Sequence, residues 1–327
     1  MGGSWNTGAI ITLIVSLIAT IGLLALTFMV WSRRDLQALK IKSPTLLTLF
    51  LIANIITITL LCFVQLNYEI CQNGCAGKGL QDTAETCGYL LVCLSEPLLI
   101  MSYGARFLRV RRIFDAQKIY FDKGVRPSDM IRHYSEPKLV MMVGVFVAIS
   151  SVTYMTVGFI IWGSISGGYG VLPTFAVGYG TTNHRAFISL LVFIFATFAE
   201  GGLLAMSMDR IREIKREFSM LAELQVFSSL WLTFTNLTLF FLVQGTIGGW
   251  WTGHEITYYR IIFWLLMLRS LSVSLYTACV PLYDSQVNSD EMFFPIPPNR
   301  ECIESVDMVL HIPIAVDYFY NYLQSRH

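Results

Sequence analysis

Residues 8–42 read GAIITLIVSLIATIGLLALTFMVWSRRDLQALKIK. Residues 8–31 form one uncharged, almost wholly apolar run, and Arg33, Arg34, Lys40 and Lys42 follow it at once. About 20 apolar residues carry an α-helix across the hydrocarbon core of a bilayer. Basic connecting segments stay on the cytoplasmic side. The stretch therefore predicts a membrane helix that enters from outside and ends inside. A cleaved secretory leader fits less well. Residues 1–7 contain no Lys or Arg, and the apolar run exceeds a leader's apolar core.

The same alternation repeats along the chain. Apolar segments of spanning length occur at 44–66, 89–108, 139–163, 186–208, 222–247 and 258–283. After the second segment stands only Lys78, whereas the third precedes Arg106, Arg109, Arg111, Arg112, Lys118, Lys123, Arg126, Arg132 and Lys138. Arg185 stands alone after the fourth. Arg210, Arg212, Lys215 and Arg216 follow the fifth. The expectation is an all-α, integral membrane bundle of seven helices over 1–283, with the N-terminus outside and the C-terminus inside. Residues 284–303 would be a cytoplasmic linker and 304–327 the start of a further helical unit. Such a protein is multi-pass, and the plasma membrane is the expected location. Charged residues make up 14% of the chain, against roughly a quarter in a soluble globular domain. No basic tract interleaved with aromatics points to nucleic acid.

The chain has seven cysteines. Cys62, Cys93 and Cys279 fall in spans and read as small buried apolar residues. Cys302 lies in the tail, where a cytoplasmic thiol stays reduced. Cys71, Cys75 and Cys87 cluster in the loop 67–88, on the expected outer side, and form a candidate disulfide site. Three cysteines allow three pairings and leave one odd, and a pairing with Cys87 would tie the loop to the top of the third helix. A zinc site is the alternative, with no histidine to accompany the thiols.

Residues 109–121 continue the third helix with alternating aromatic and basic residues, either as a snorkelling helix end or as a contact surface for a cytoplasmic partner. The glycines at 167–170 and 178–180 suggest a flexible outer loop, because no Gly-Lys-Ser/Thr follows them. Trp250 and Trp251 read as interfacial anchors. The sequon at Asn236 falls inside a span.

Glu96, Glu200 and Arg269 lie within spans three, five and seven. Charges in a bilayer are costly and face a bundle interior. They read as an intramembrane polar network. It is either an ion pair that fixes helix register, a lock broken when a ligand moves a helix, or part of an ion pathway. Pro97 and Pro281 are expected kinks. The histidines (His133, His184, His254, His311 and His327) are scattered, and neither a nucleophile elbow nor a phosphate loop is present. No catalytic, metal or cofactor site is expected, and the chain does not read as an enzyme.

After residue 283 the chain turns acidic and proline-rich. Ser305 then precedes Val306, Val309 and Leu310 in a capped first turn. Val316, Phe319, Tyr320 and Leu323 follow at the spacing of one helix face. With Ser305, Leu310, Phe319, Tyr322 and Leu323 in register, this tail resembles the opening of a regulator of G-protein signaling (RGS) domain. The membrane part resembles the seven-transmembrane portion of the receptor-like proteins that carry such a domain. The points of resemblance are Glu96-Pro97-Leu98, the basic extension 106–127, the entry 220–225 into span six, and Tyr259-Arg260 through Arg269. The resemblance implies regulation of heterotrimeric G-protein signalling, with a Gα subunit as partner, an outer ligand of unknown class and GTPase activation through the RGS domain. It also implies a domain cut short after its first helices, so no Gα-contacting residue is carried over. An ordinary G-protein-coupled receptor and a small-solute transporter are the alternatives.

Overall fold

The computed structural model describes residues 7–34, 39, 43–71, 87, 90–123, 136–166, 202, 220–247 and 255–287. Among them all regular secondary structure is helical. The helices are α1 (Thr7–Ser32), α2 (Pro44–Cys71), α3 (Glu96–Lys123), α4 (Glu136–Ser166), α5 (Met220–Ile247) and α6 (Glu255–Val287), with a π-helical turn at Leu91–Ser95 leading into α3. Helices α5 and α6 correspond to the sixth and seventh expected spans. The fifth, 186–208, lies outside the described residues.

Among the described residues five helices are long and apolar enough to cross a membrane: α1, α2, α4, α5 and α6. The protein is a multi-pass membrane protein. In hydrocarbon every backbone polar group must find its partner inside the protein, and a helix does this within one segment. Hydroxyls inside the helices follow the same constraint. Thr27, Thr57, Thr153, Thr156 and Thr238 each donate to the carbonyl four residues back, at 2.7 or 2.8 Å. The outward faces remain apolar. On α1, Ile18 is 64% exposed and Phe28 71%, and on α4 Met141 reaches 67%. A helix that is apolar all round suits lipid on one side and a core on the other.

Helix α2 is central, packing against α1, α3 and α6, while α4 leans on α3 and α5 on α6. The larger core joins Leu23, Leu26 and Val30 of α1 to Leu47, Phe50 and Leu51 of α2, Leu99 and Tyr103 of α3, Phe227 and Trp231 of α5, and Phe263 and Met267 of α6. A second cluster, Leu46, Ala105, Leu139, Val143 and Val147, seats α4. At the centre the Tyr103 ring stacks on Phe227 with centroids 3.6 Å apart, and Phe107 and Phe50 close around it at 4.7 and 5.5 Å.

Several boundaries differ from the sequence reading for physical reasons. Helix α2 runs on to Cys71 instead of ending at 66, because Glu69 beyond the apolar stretch finds a partner on α6. Pro97 sits just after the π turn. Proline cannot donate its backbone N–H, and its ring crowds the carbonyl four residues back. The wider turn, in which Glu96 N–H reaches the Leu91 carbonyl, absorbs that conflict at the helix entrance. Cys279 is exposed on the outward face of α6 and Cys62 is half-buried, so neither is the fully buried core residue expected. The Cys93 side chain is outside the described residues.

Candidate functional site: paired charges inside the bundle

Four acidic residues and four arginines join the helices at successive depths. Two faces of the bundle serve as reference. The first is where α1 begins and α2 ends, and the second is where α1 ends and α2 begins.

At the first face, Arg260 of α6 grips Glu69 of α2 with both arms. Nε to Oε1 is 2.5 Å and Nη2 to Oε2 is 2.7 Å. Gln65 donates to the same carboxylate at 3.0 Å. Glu69 is fully buried whereas the Arg260 side chain is 42% exposed. Hydrogen bonding from Arg260 holds the Glu69 carboxyl below the usual carboxylate range, against the opposing effect of burial. Such a lowered group stabilises the fold above its unfolded pKa, and that stability is lost as pH falls through the folded value. An acid titration of thermal stability should therefore lose a component below the ordinary carboxylate range, and Glu69→Gln should flatten that limb. An unchanged titration in Glu69→Gln would remove the residue from the acid response.

The start of α1 closes over this pair. A Cβ at Gly8 would stand 2.6 Å from Glu69 Oε2 and 2.7 Å from Arg260 Nη2. Overpacking of this kind costs about 1–3 kcal/mol. Gly8→Ala should destabilise the wild type by a net ~1 kcal/mol once its better helix propensity is counted. On a Glu69→Ala background the substitution should be neutral or stabilising, which a thermal double-mutant cycle reads directly.

Deeper in the bundle, Arg269 Nη2 of α6 donates to Glu96 Oε1 of α3. Its Nη1 also lies 3.5 Å from the Thr235 hydroxyl of α5. The side chains are 2% and 8% exposed. Among the described residues Glu96 Oε2 and Arg269 Nε make no further hydrogen bond, and the hydroxyls of Ser270, Ser274 and Thr277 on α6 are likewise buried without a partner there. Ser95, in the π turn beside Glu96, meets the Thr57 hydroxyl of α2. The pair thus draws α3, α5 and α6 together but is not saturated with hydrogen bonds.

Ten residues further along α3, about 15 Å, Arg106 pairs with Glu223 at the start of α5. Nη1 to Oε1 is 2.8 Å, with side chains 1% and 0% exposed. Arg106 therefore does not belong to the solvated basic segment in which its sequence position had put it. One turn on, Arg109 of α3 bridges the heads of α2 and α4 at the second face. Its Nη1 donates to Glu136 of α4 and to Ser43 at the head of α2, each at 2.6 Å, and Thr45 donates to the other Glu136 oxygen at 2.7 Å. Burial pulls the Arg109 pKa down, with Glu136 opposing it. Ser43 accepts this role at φ 59°, a left-handed conformation that costs a non-glycine residue energy.

Of the expected polar network, Glu96 and Arg269 are brought together, and Glu200 lies outside the described residues. Cys87 is a free thiol whose pKa burial raises. Cys75 and the Cys71 side chain are outside the described residues, as are Ser305, Leu310, Phe319, Tyr322 and Leu323 of the tail. Sequence reasoning missed Arg106–Glu223, Arg109–Glu136 and Glu69–Arg260 as pairs. For Glu69–Arg260 and Arg109–Glu136 the signal was opposite charges close to span ends on the same face. No protein-family model matches the chain, and no curated protein matches it.

Proposed function

We propose that this protein is a receptor-like seven-helix membrane protein that regulates heterotrimeric G-protein signalling. The observation that carries the reading is the placement of two desolvated ion pairs on one helix. Glu96 ties α3 to α6, and Arg106 ties the same helix to α5. Buried pairs of this kind contribute little net stability but strongly penalise the loss of one partner. They suit a bundle with two arrangements, one with the pairs closed and one with them exchanged. The unsaturated Glu96–Arg269 pair and the buried hydroxyls beside it supply alternative partners for such an exchange.

The topology has independent support. Helix α4 starts at the second face beside Arg109, and α5 starts at that same face beside Arg106. Two successive described helices begin on one side, as expected if 186–208 is a crossing of its own. The second face also receives Arg33 and Arg34, which favours it as the cytoplasmic side. The N-terminus is then outside, with the plasma membrane as the site of action. The partner is a Gα subunit, engaged through an RGS-type domain that opens with the pattern at 304–327, and the outer ligand is of unknown class.

The test is single-turnover GTP hydrolysis by Gα on liposomes carrying the protein with its entire RGS-type domain. Acceleration over protein-free liposomes, altered by Arg269→Met, is the expected result. Equal turnover on both kinds of liposome overturns the reading. Solute flux abolished by Glu96→Gln would place the protein among transporters instead.

A further inference from the structure

The frame of paired charges leaves one built feature unused, at the end of α1. Helix α1 closes with Arg33 N–H on the Met29 carbonyl at 3.2 Å and Arg34 N–H on the Trp31 carbonyl at 3.3 Å. The Arg34 guanidinium carbon stands 4.6 Å from the centroid of the Trp31 ring. Trp31 is itself 44% exposed, and Phe28 and Met29 beside it are 71% and 43% exposed. The indole thus lies at the edge of the apolar outward strip of α1, where a membrane tryptophan takes up the headgroup level. The arginine stacked on it lies at that same level.

The chain returns quickly. Leu39 is fully buried in the main core. Ser43, a few residues on, is held by Arg109. In the sequence Arg33 and Arg34 are followed before Ser43 by Lys40 and Lys42, with Asp35 the sole acidic residue among them. The carboxylates of the frame, Glu69, Glu96, Glu136 and Glu223, already face Arg260, Arg269, Arg109 and Arg106. A guanidinium stacked on an aromatic face keeps its N–H edge free, and that edge matches a phosphate in two-pronged fashion.

We propose that the end of α1 is a binding site for the headgroup of an anionic phospholipid. Arg33 and Arg34 take its phosphate and Trp31 packs on the glycerol region. The two arginines also offset the negative end of the α1 dipole, which would otherwise repel the anion. Each basic residue at a membrane surface strengthens such attraction by about fivefold. The inference rests on reading α1 as a membrane span.

The experiment places the protein in phosphatidylcholine vesicles containing brominated phosphatidylserine or, at the same mole fraction, brominated phosphatidylcholine. Subtracting the emission of Trp31→Phe isolates the Trp31 signal. Phosphatidylserine should quench that signal several-fold more strongly, and the double variant Arg33→Gln/Arg34→Gln should reduce the quenching to the phosphatidylcholine level while leaving phosphatidylcholine quenching unchanged. Equal quenching by the two lipids in the wild type overturns the proposal. So does a serine-lipid preference that survives the double variant. Absence of Trp31 quenching by either lipid overturns the reading of α1 as a span along with it.

Discussion

Arg106→Gln should destabilise the bundle by about 3–5 kcal/mol, the largest effect expected of any single substitution. The cause is the carboxylate left behind. Glu223 is fully buried, and its partner across the α3–α5 contact is the Arg106 guanidinium at 2.8 Å. Removing the arginine strands a charge in a setting where neither lipid nor core can solvate it. The double variant Arg106→Leu/Glu223→Leu should recover most of the loss, since removing both partners also removes both desolvation costs. Thermal unfolding of the purified protein in detergent separates the outcomes. If the single and double variants lose equal stability, the pair matters only as packed volume.

Arg269→Met should come close behind, with a distinct signature. Glu96 is the carboxylate stranded, and the Thr235 hydroxyl loses the guanidinium 3.5 Å away. The expected loss is again about 3–5 kcal/mol. Glu96→Gln should cost less, because an amide oxygen still accepts from Arg269. Arg269 makes its closest contact across the α3–α6 boundary, so the surviving folded fraction should shift its basal signalling besides losing surface expression. A cycle between positions 96 and 269 should give a coupling of at least ~1 kcal/mol. Additive losses would separate the two residues energetically despite their contact.

The spanning helices were legible in the sequence because length and apolar run are sufficient signals in a bilayer. Segments 8–31 and 222–247 match α1 and α5 within a few residues. Helix ends were less legible where a charge decides them. Glu69 prolongs α2 and Glu136 starts α4 because each meets an arginine far away in sequence, and no local pattern encodes that partner. Of the interior pairs, Glu96–Arg269 could be anticipated, since both charges stand deep inside apolar segments. Arg106 could not, because it opens a run of basic residues and reads as the first of a solvated set. Only the approach of α5 makes it interior. The lipid-facing position of Cys279 was equally hidden, because apolar residues occupy both the inner and the outward sides of α6.

The central claim is that α3 is held to α5 and α6 by breakable charge pairs. Spin labels at Lys138 of α4 and Gln225 of α5, both exposed positions, report on it most directly. Pulsed dipolar spectroscopy should find one narrow distance distribution in the wild type and a broadened or displaced one in Arg106→Gln, as α5 leaves α3. An identical distribution in both would contradict the claim.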